Sequence, residues 1–200
     1  LKKLDGLEQS HFSYASKYLY SLINSGNFNR AYTFSKKLEK KSKETFESDL
    51  INGIYHLKNS KYNSAKDYFL KAKNRKFISL LDKYVADSLY LWSNFNSNDI
   101  TTSELLLSQL DERFVNLKKI QRVFLNCFFT SKNTERLFDE LVSDKKTDFS
   151  RYNYFYANYL ISIGKKEKSK KIVKNALELY PRNLLLNQQY LSEDSLNNFV

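Results

Sequence analysis

Two hundred residues with 42% hydrophobic and 16% aromatic content suffice for a substantial core, which excludes a disordered chain. Four Gly and one Pro are too few to punctuate a turn-rich all-β fold or long flexible linkers, so the composition points to an all-helical protein. A balance of 33 basic against 22 acidic residues gives a net charge of +11, which favours anionic partners; heavy use of Lys, Asn, Ile and Tyr beside sparse Gly, Pro and Ala is equally the signature of an AT-rich coding sequence.

In chain order, residues 1–9 carry Leu1, Leu4 and Leu7 at three-residue spacing and read as the tail of a preceding helix or a cap. From Ser10 a helix is predicted, capped by Ser10 or Ser13, with Tyr14, Ala15, Tyr18, Leu19, Leu22 and Ile23 as its buried stripe. Asn24-Ser25-Gly26-Asn27 ends it, and a second helix runs through Ala31, Phe34, Ser35 and Leu38, leaving Lys36, Lys37, Lys40 and Lys41 to solvent. The next pair starts near Thr45, is expected to bury Phe46, Leu50, Gly53, Ile54 and Leu57, turns at Asn59-Ser60-Lys61, and continues through Ala65, Phe69 and Ala72. A longer helix from Phe77 to Phe95 places Leu80, Leu81, Tyr84, Val85, Leu89 and Trp92 in register. After Asn96-Ser97-Asn98, Thr101 or Thr102 is the expected cap of a helix burying Leu106, Leu107 and Leu110. A fourth pair spans about Asp111 to Phe129 (Phe114, Leu117, Ile120, Val123, Phe124, Cys127) and Asn133 to Val142 (Leu137, Phe138, Leu141). In the fifth, Tyr156, Ala157 and Leu160 share one helical face, Gly164 ends that helix, and Ser169, Val173, Ala176 and Leu177 form the next before Pro181 stops it.

The pairs recur at a nearly constant period. Taking the small or polar residue near the start of each second helix, Ala31 to Ala65 is 34 residues, Ala65 to Ser103 is 38, Ser103 to Arg136 is 33 and Arg136 to Ser169 is 33. The 38-residue step implies an insertion or a lengthened helix. At this period the chain resembles the tetratricopeptide repeat (TPR) family, whose repeat is about 34 residues with a small residue, an aromatic, a second small residue and a terminal proline in its second half. Ala65, Phe69 and Ala72 match that signature fully and Gly53 matches the small residue of the first helix; Ala157, Leu160, Ala176 and Pro181 match in the fifth pair, where Ser169 and Val173 replace the usual types, and Gly26, Phe28 and Ala31 match in the first. The expected fold is therefore an all-α, right-handed α-solenoid of about five antiparallel helix pairs, at 10–43, 44–76, 77–110, 111–149 and 150–183, with 184–200 starting a further helix or a cap.

No catalytic constellation emerges. His11 and His56 lie in different pairs without a Ser-His-Asp or Cys-His grouping, and there is no Gly-rich phosphate loop. One Cys and two His exclude an intramolecular disulfide framework and a four-ligand zinc site of the usual type, and Cys127, between Phe124 and Phe128, reads as a small hydrophobe. The reading is a non-enzyme with no cofactor and no metal. No apolar run approaches the roughly 18 residues of a membrane span, and Leu1 to Ser10 lacks a secretory signal core. Because the chain begins with Leu, an upstream signal, anchor or further repeats stay open, as does the choice between cytoplasm and periplasm.

What the resemblance implies is a scaffold for partner proteins. First helices of stacked pairs line the concave surface, which assigns it Ser16, Tyr20 and Asn24, then Leu50, Ile54 and Lys58, then Tyr154, Asn158 and Ile161. Tyr20, Ile54 and Tyr154 are the expected anchors, with Lys58 and Asn158 orienting an extended or helical segment of a protein or peptide partner and Asn24 lining the same surface. The Lys-and-Asn clamp by which some TPR proteins hold a terminal carboxylate is missing, since Ser16, Tyr20 and Ile51 occupy the matching positions. The competing reading is a basic helical repeat that binds nucleic acid or another polyanion, carried by the run Lys165-Lys166-Glu167-Lys168-Ser169-Lys170-Lys171.

Overall fold

A computed structural model describes residues 13–76, 78–95 and 99–197, the side chains of 192–197 excepted. The expectations at 1–9, Ser10, His11, Phe77 and Asn96 to Asn98 lie outside the described residues. Among those described there are α-helices and no strand: α1 Tyr14–Asn24, α2 Phe28–Lys40, α3 Phe46–Lys58, α4 Tyr62–Lys73, α5 Leu80–Ser93, α6 Ile100–Ser108, α7 Val115–Phe128, α8 Thr134–Val142, α9 Tyr152–Ser162, α10 Lys166–Leu179 and α11 Leu184–Asn197. The helices fall into two compact units, one ending at Asp111 and the other starting at Glu112.

Every second helix buries three residues at i, i+4 and i+7. They are Ala31, Ser35 and Leu38 in α2; Ala65, Phe69 and Ala72 in α4; Ser103, Leu107 and Leu110 around α6; Thr134, Phe138 and Leu141 in α8; and Ser169, Val173 and Ala176 in α10. The fourth triplet corrects the expected register: Arg136 faces solvent in an ion pair with Glu140, and Thr134 takes the small residue's place. Reckoned on Thr134, the last two steps are 31 and 35 residues, Ser103 to Thr134 and Thr134 to Ser169. The long step is also located. Twelve residues separate Leu19 from Ala31, Gly53 from Ala65 and Ala157 from Ser169, whereas 15 separate Ser88, the buried counterpart in α5, from Ser103; the insertion therefore sits in the α5–α6 connection.

The turns inside the pairs repeat as closely as the helices. Gly26, Ser60, Thr130 and Gly164 adopt φ of +72°, +57°, +50° and +80°. In each, the next residue's N–H donates to a carbonyl five residues back: Asn27 to Leu22 at 2.8 Å, Lys61 to His56 at 2.9 Å, Ser131 to Asn126 at 2.9 Å and Lys165 to Leu160 at 2.8 Å. This left-handed closure satisfies the last carbonyls of the first helix and suits glycine. Capping fixes the other ends: Thr45 and Ser48 form a reciprocal box at α3, as do Ser79 and Asp82 at α5. At α6 the cap is Asp99, whose carboxylate accepts the Thr102 N–H at 2.7 Å, so Thr101 and Thr102 lie inside the helix and not ahead of it.

Three first helices bury a different face from the one their apolar pattern predicts; in α7, Lys118, Leu125 and Asn126 are buried beside Val123, and the expected core residue Leu117 is exposed. In α3 the interior residues are Ser48, Asp49, Asn52 and Gly53, while Ile54 is 49% exposed. Gly53 sets this rotation, because it lies against the Phe69 ring so closely that any Cβ would overlap it. Turning Gly53 inward brings Asp49 and Asn52 with it. Arg75 donates from Nε to Asp49 Oδ2 at 2.5 Å, yet burial still pushes the Asp49 carboxyl above its ordinary range. In α5, Tyr84, Ser88 and Leu91 face inward, and the expected core residues Leu80, Leu81 and Val85 face out.

The turn at Thr130 and the crossing at Gly53 each predict a change in stability. Thr130→Gly relieves a β-branched residue of a left-handed conformation that costs about 1–2 kcal/mol, part of which is returned as unfolded-chain entropy, so a net gain of about 0.5–1 kcal/mol is expected in denaturant melts. Gly53→Val forces the Phe69 ring aside and is expected to cost about 2–3 kcal/mol in the same measurement.

Candidate partner-binding surface

The first unit presents Tyr20, 68% exposed, and Ile54, 49% exposed, on α1 and α3, although Ala15, Leu19 and Leu22 beside Tyr20 are buried. Asn24 and Lys58 are exposed at the C-terminal ends of the same helices, and Leu50 is half-buried. Ser16 is not a free groove residue: its hydroxyl donates to Glu47 Oε2 at 2.7 Å, tying α1 to the first turn of α3. The repeat extends this surface to residues that the sequence pattern assigned to the core. Thirty-five residues beyond Leu50 and Ile54 stand Val85, 36% exposed, and Leu89, and Leu81 is 53% exposed one turn earlier. The available signal was the same 35-residue step that relates Gly53 to Ser88.

The second unit carries the other two expected residues on α9. Tyr154 is half-buried, and Asn158 is exposed but engaged, its Nδ2 donating to the Tyr154 carbonyl at 3.1 Å and its Oδ1 accepting from Gln189 at 3.4 Å. Ile161 is half-buried. Phe155, missed in the sequence, is 37% exposed and touches Tyr154, Phe124 and Tyr152 at ring separations of 5.5, 5.4 and 6.0 Å, forming an aromatic patch.

The basic run of α10 is partly consumed inside the fold. Lys165 and Lys168 donate to Glu135 at 2.6 and 2.9 Å, Lys168 reaches Asp139 at 3.0 Å, and Asp139 also accepts the Tyr156 hydroxyl at 2.6 Å. The first unit has a comparable cluster: Glu39 accepts from Lys36 and, at 2.8 Å, from the Tyr68 hydroxyl. It borders a cleft of about 370 Å³ lined by Lys36, His56, Ser64, Asp67, Tyr68 and Lys71. Burial, with Lys61 and Lys36 nearby, lowers the His56 pKa, and its ring stacks on Tyr68 at 5.4 Å. Cys127 is half-buried, and burial pushes its thiol up, as for a small hydrophobe.

No protein-family model matches the sequence, and no curated protein matches it either. Comparison with solved structures does yield a match: TTC0263, a thermophilic TPR protein of Thermus thermophilus, superposes with a TM-score of 0.60 over 91% of this chain and 98% of that one, at 16% identity. The chain has the tetratricopeptide repeat fold. YrrB, described as a TPR protein with an unusual peptide-binding site, is more distant, with a TM-score of 0.46 at 15% identity over 88% of this chain and 89% of that one. At these identities the likeness concerns the TPR fold alone. No helix among the described residues is long and apolar enough to cross a membrane.

The α8–α10 cluster predicts a pH dependence. Hydrogen bonds from Lys165 and Lys168 hold the Glu135 carboxyl below its ordinary value of 4.5, so its contribution to stability is complete above that pH and fades as pH falls through the lowered value. Glu135→Gln is expected to cost up to about 1 kcal/mol at neutral pH, with the difference from wild type closing as unfolding is measured in progressively stronger acid.

Proposed function

We propose that the chain is a non-catalytic scaffold that holds a segment of a partner protein on the exposed face of its first helices. The observation that carries this reading is the repeated display of large apolar side chains: Tyr20 and Ile54, 34 residues apart, are exposed beside buried helix faces, and on α5 Val85, the counterpart of Leu50, is exposed one turn before the half-buried Leu89 that continues the row. Isolated exposed apolar residues need no explanation, whereas rows of them repeated along an array mark an interaction surface. Tyr20 and Ile54 supply contact area in the first unit, and Asn24 and Lys58 orient the segment. In the second unit Tyr154 takes the anchoring role beside the Phe155 patch, and Asn158 contributes through the hydrogen-bonding capacity left after Tyr154 and Gln189. The polyanion reading is the weaker one because Lys165 and Lys168 are committed to carboxylates of α8.

The test is retention from a cell lysate at low and moderately high salt on wild-type chain and on a Tyr20→Ala, Ile54→Asp variant, with proteins and nucleic acids both identified. A discrete protein that survives the salt step on wild type and is lost on the variant is the expected result. Nucleic acid that elutes with salt from both chains would overturn the proposal, since phosphate contacts weaken steeply with ionic strength.

A further inference from the structure

We propose that the cleft between α2 and α4 is a binding site for a small zwitterion of the α-amino-acid class, independent of the partner-binding face of the first helices. Lys36 on α2, His56 near the end of α3, and Ser64, Asp67, Tyr68 and Lys71 on α4 line about 370 Å³ of space. None of these is an aliphatic residue, so the cleft offers little to an apolar group and much to a polar one. The four α4 residues fall at i, i+3, i+4 and i+7, which places them on one face of that helix.

The charges select the ligand. Lys36 donates to Glu39 and, at 2.9 Å, to the Tyr68 hydroxyl, which itself donates to Glu39 Oε1 at 2.8 Å. Lys71 is drawn toward the same carboxylate and over the same ring, its ammonium 3.8 Å from Glu39 Oε1 and 5.1 Å from the Tyr68 centroid. Opposite charges four residues apart on a helix ordinarily pair, yet among the described residues Asp67 forms no ion pair with Lys71 or any other group. The gap between them is therefore flanked by one uncompensated carboxylate and one ammonium that shares its counter-ion. His56 adds no charge at neutral pH, because burial, with Lys61 and Lys36 nearby, holds its pKa below 6.5. A phosphate or simple carboxylate on Lys71 faces the carboxylates of Asp67 and Glu39, and a simple cation on Asp67 faces the ammoniums of Lys36 and Lys71. A molecule bearing both charges satisfies both ends: its ammonium donates to Asp67 and to the Ser64 hydroxyl one turn earlier, and its carboxylate accepts from Lys71. The helix rise between Asp67 and Lys71, about 6 Å, is short enough for one such molecule to bridge.

The experiment titrates L-serine and L-glutamine into the full chain and follows the backbone amide resonances of α4. N-acetyl-L-serine and L-serinamide, each lacking one of the two charges, are run beside them with acetate and inorganic phosphate. Saturable shifts centred on Ser64 to Lys71 with a Kd of about 1 mM are expected, weakened about tenfold by blocking either charge and by Asp67→Asn or Lys71→Gln. Both substituted positions are exposed, and circular dichroism confirms that each variant remains folded. Acetate or phosphate binding as tightly as the free amino acids, and more tightly to Asp67→Asn, would overturn the dipolar ligand in favour of a plain anion. Binding indifferent to both variants, or no saturable shift with either amino acid at about 20 mM, well above that Kd, would overturn the site itself.

Discussion

Close approach between the two helices of a pair is the constraint on which the rest depends. At the crossing of α3 and α4, Gly53 offers the Phe69 ring no side chain at all, and Ala65 and Ala72 flank that ring one turn to either side. Small residues recur at the head of every second helix, as Ala31, Ala65, Ser103, Thr134 and Ser169, each fully buried. A pair packed this tightly has little freedom to rotate about its helix axes. Which residues face out is therefore decided by the small ones, and the outward set follows as a consequence.

This hierarchy explains why polar side chains occupy the interior of α3. Once Gly53 is fixed against Phe69, Asp49 and Asn52 are carried inward by helical geometry, and Ile54 is carried out. Arg75 satisfies one oxygen of Asp49, but its second oxygen and both amide atoms of Asn52 have no hydrogen-bond partner in the protein. Leaving such groups unpaired costs about 1–3 kcal/mol each, so the close crossing of α3 and α4 is kept at a cost in polar satisfaction. Packing between α3 and α4, and not polarity, sets the register there.

The same ordering accounts for what is legible in the sequence. Helix pairs, their period and the turns at Gly26 and Gly164 are readable because Ala, Gly and Pro at fixed offsets report backbone geometry directly. The second pair's Ala65, Phe69 and Ala72 stand where the pattern puts them. Hydrophobicity misleads where both faces of a helix are apolar: in α5 it assigns Leu81 and Val85 to the core, although Ser88 marks the inward side. Spacing misleads in α8, where a regular 33-residue step points to Arg136 as the head of the helix, while the buried Thr134 is both smaller and less polar. For the surface, Tyr20, Asn24, Ile54 and Lys58 are exposed as a first-helix face requires, but the bonds that engage Ser16 and Asn158 are tertiary and leave no trace in spacing.

Recognition on the first helices, and not on the lysine-bearing second ones, is tested most directly by amide hydrogen exchange of the full chain, free and saturated with a partner recovered from lysate. Slowed exchange centred on α1 and α3, with α2, α4 and α10 unchanged, is the predicted footprint; protection concentrated on α10, with α1 and α3 exchanging as in the free chain, would contradict it.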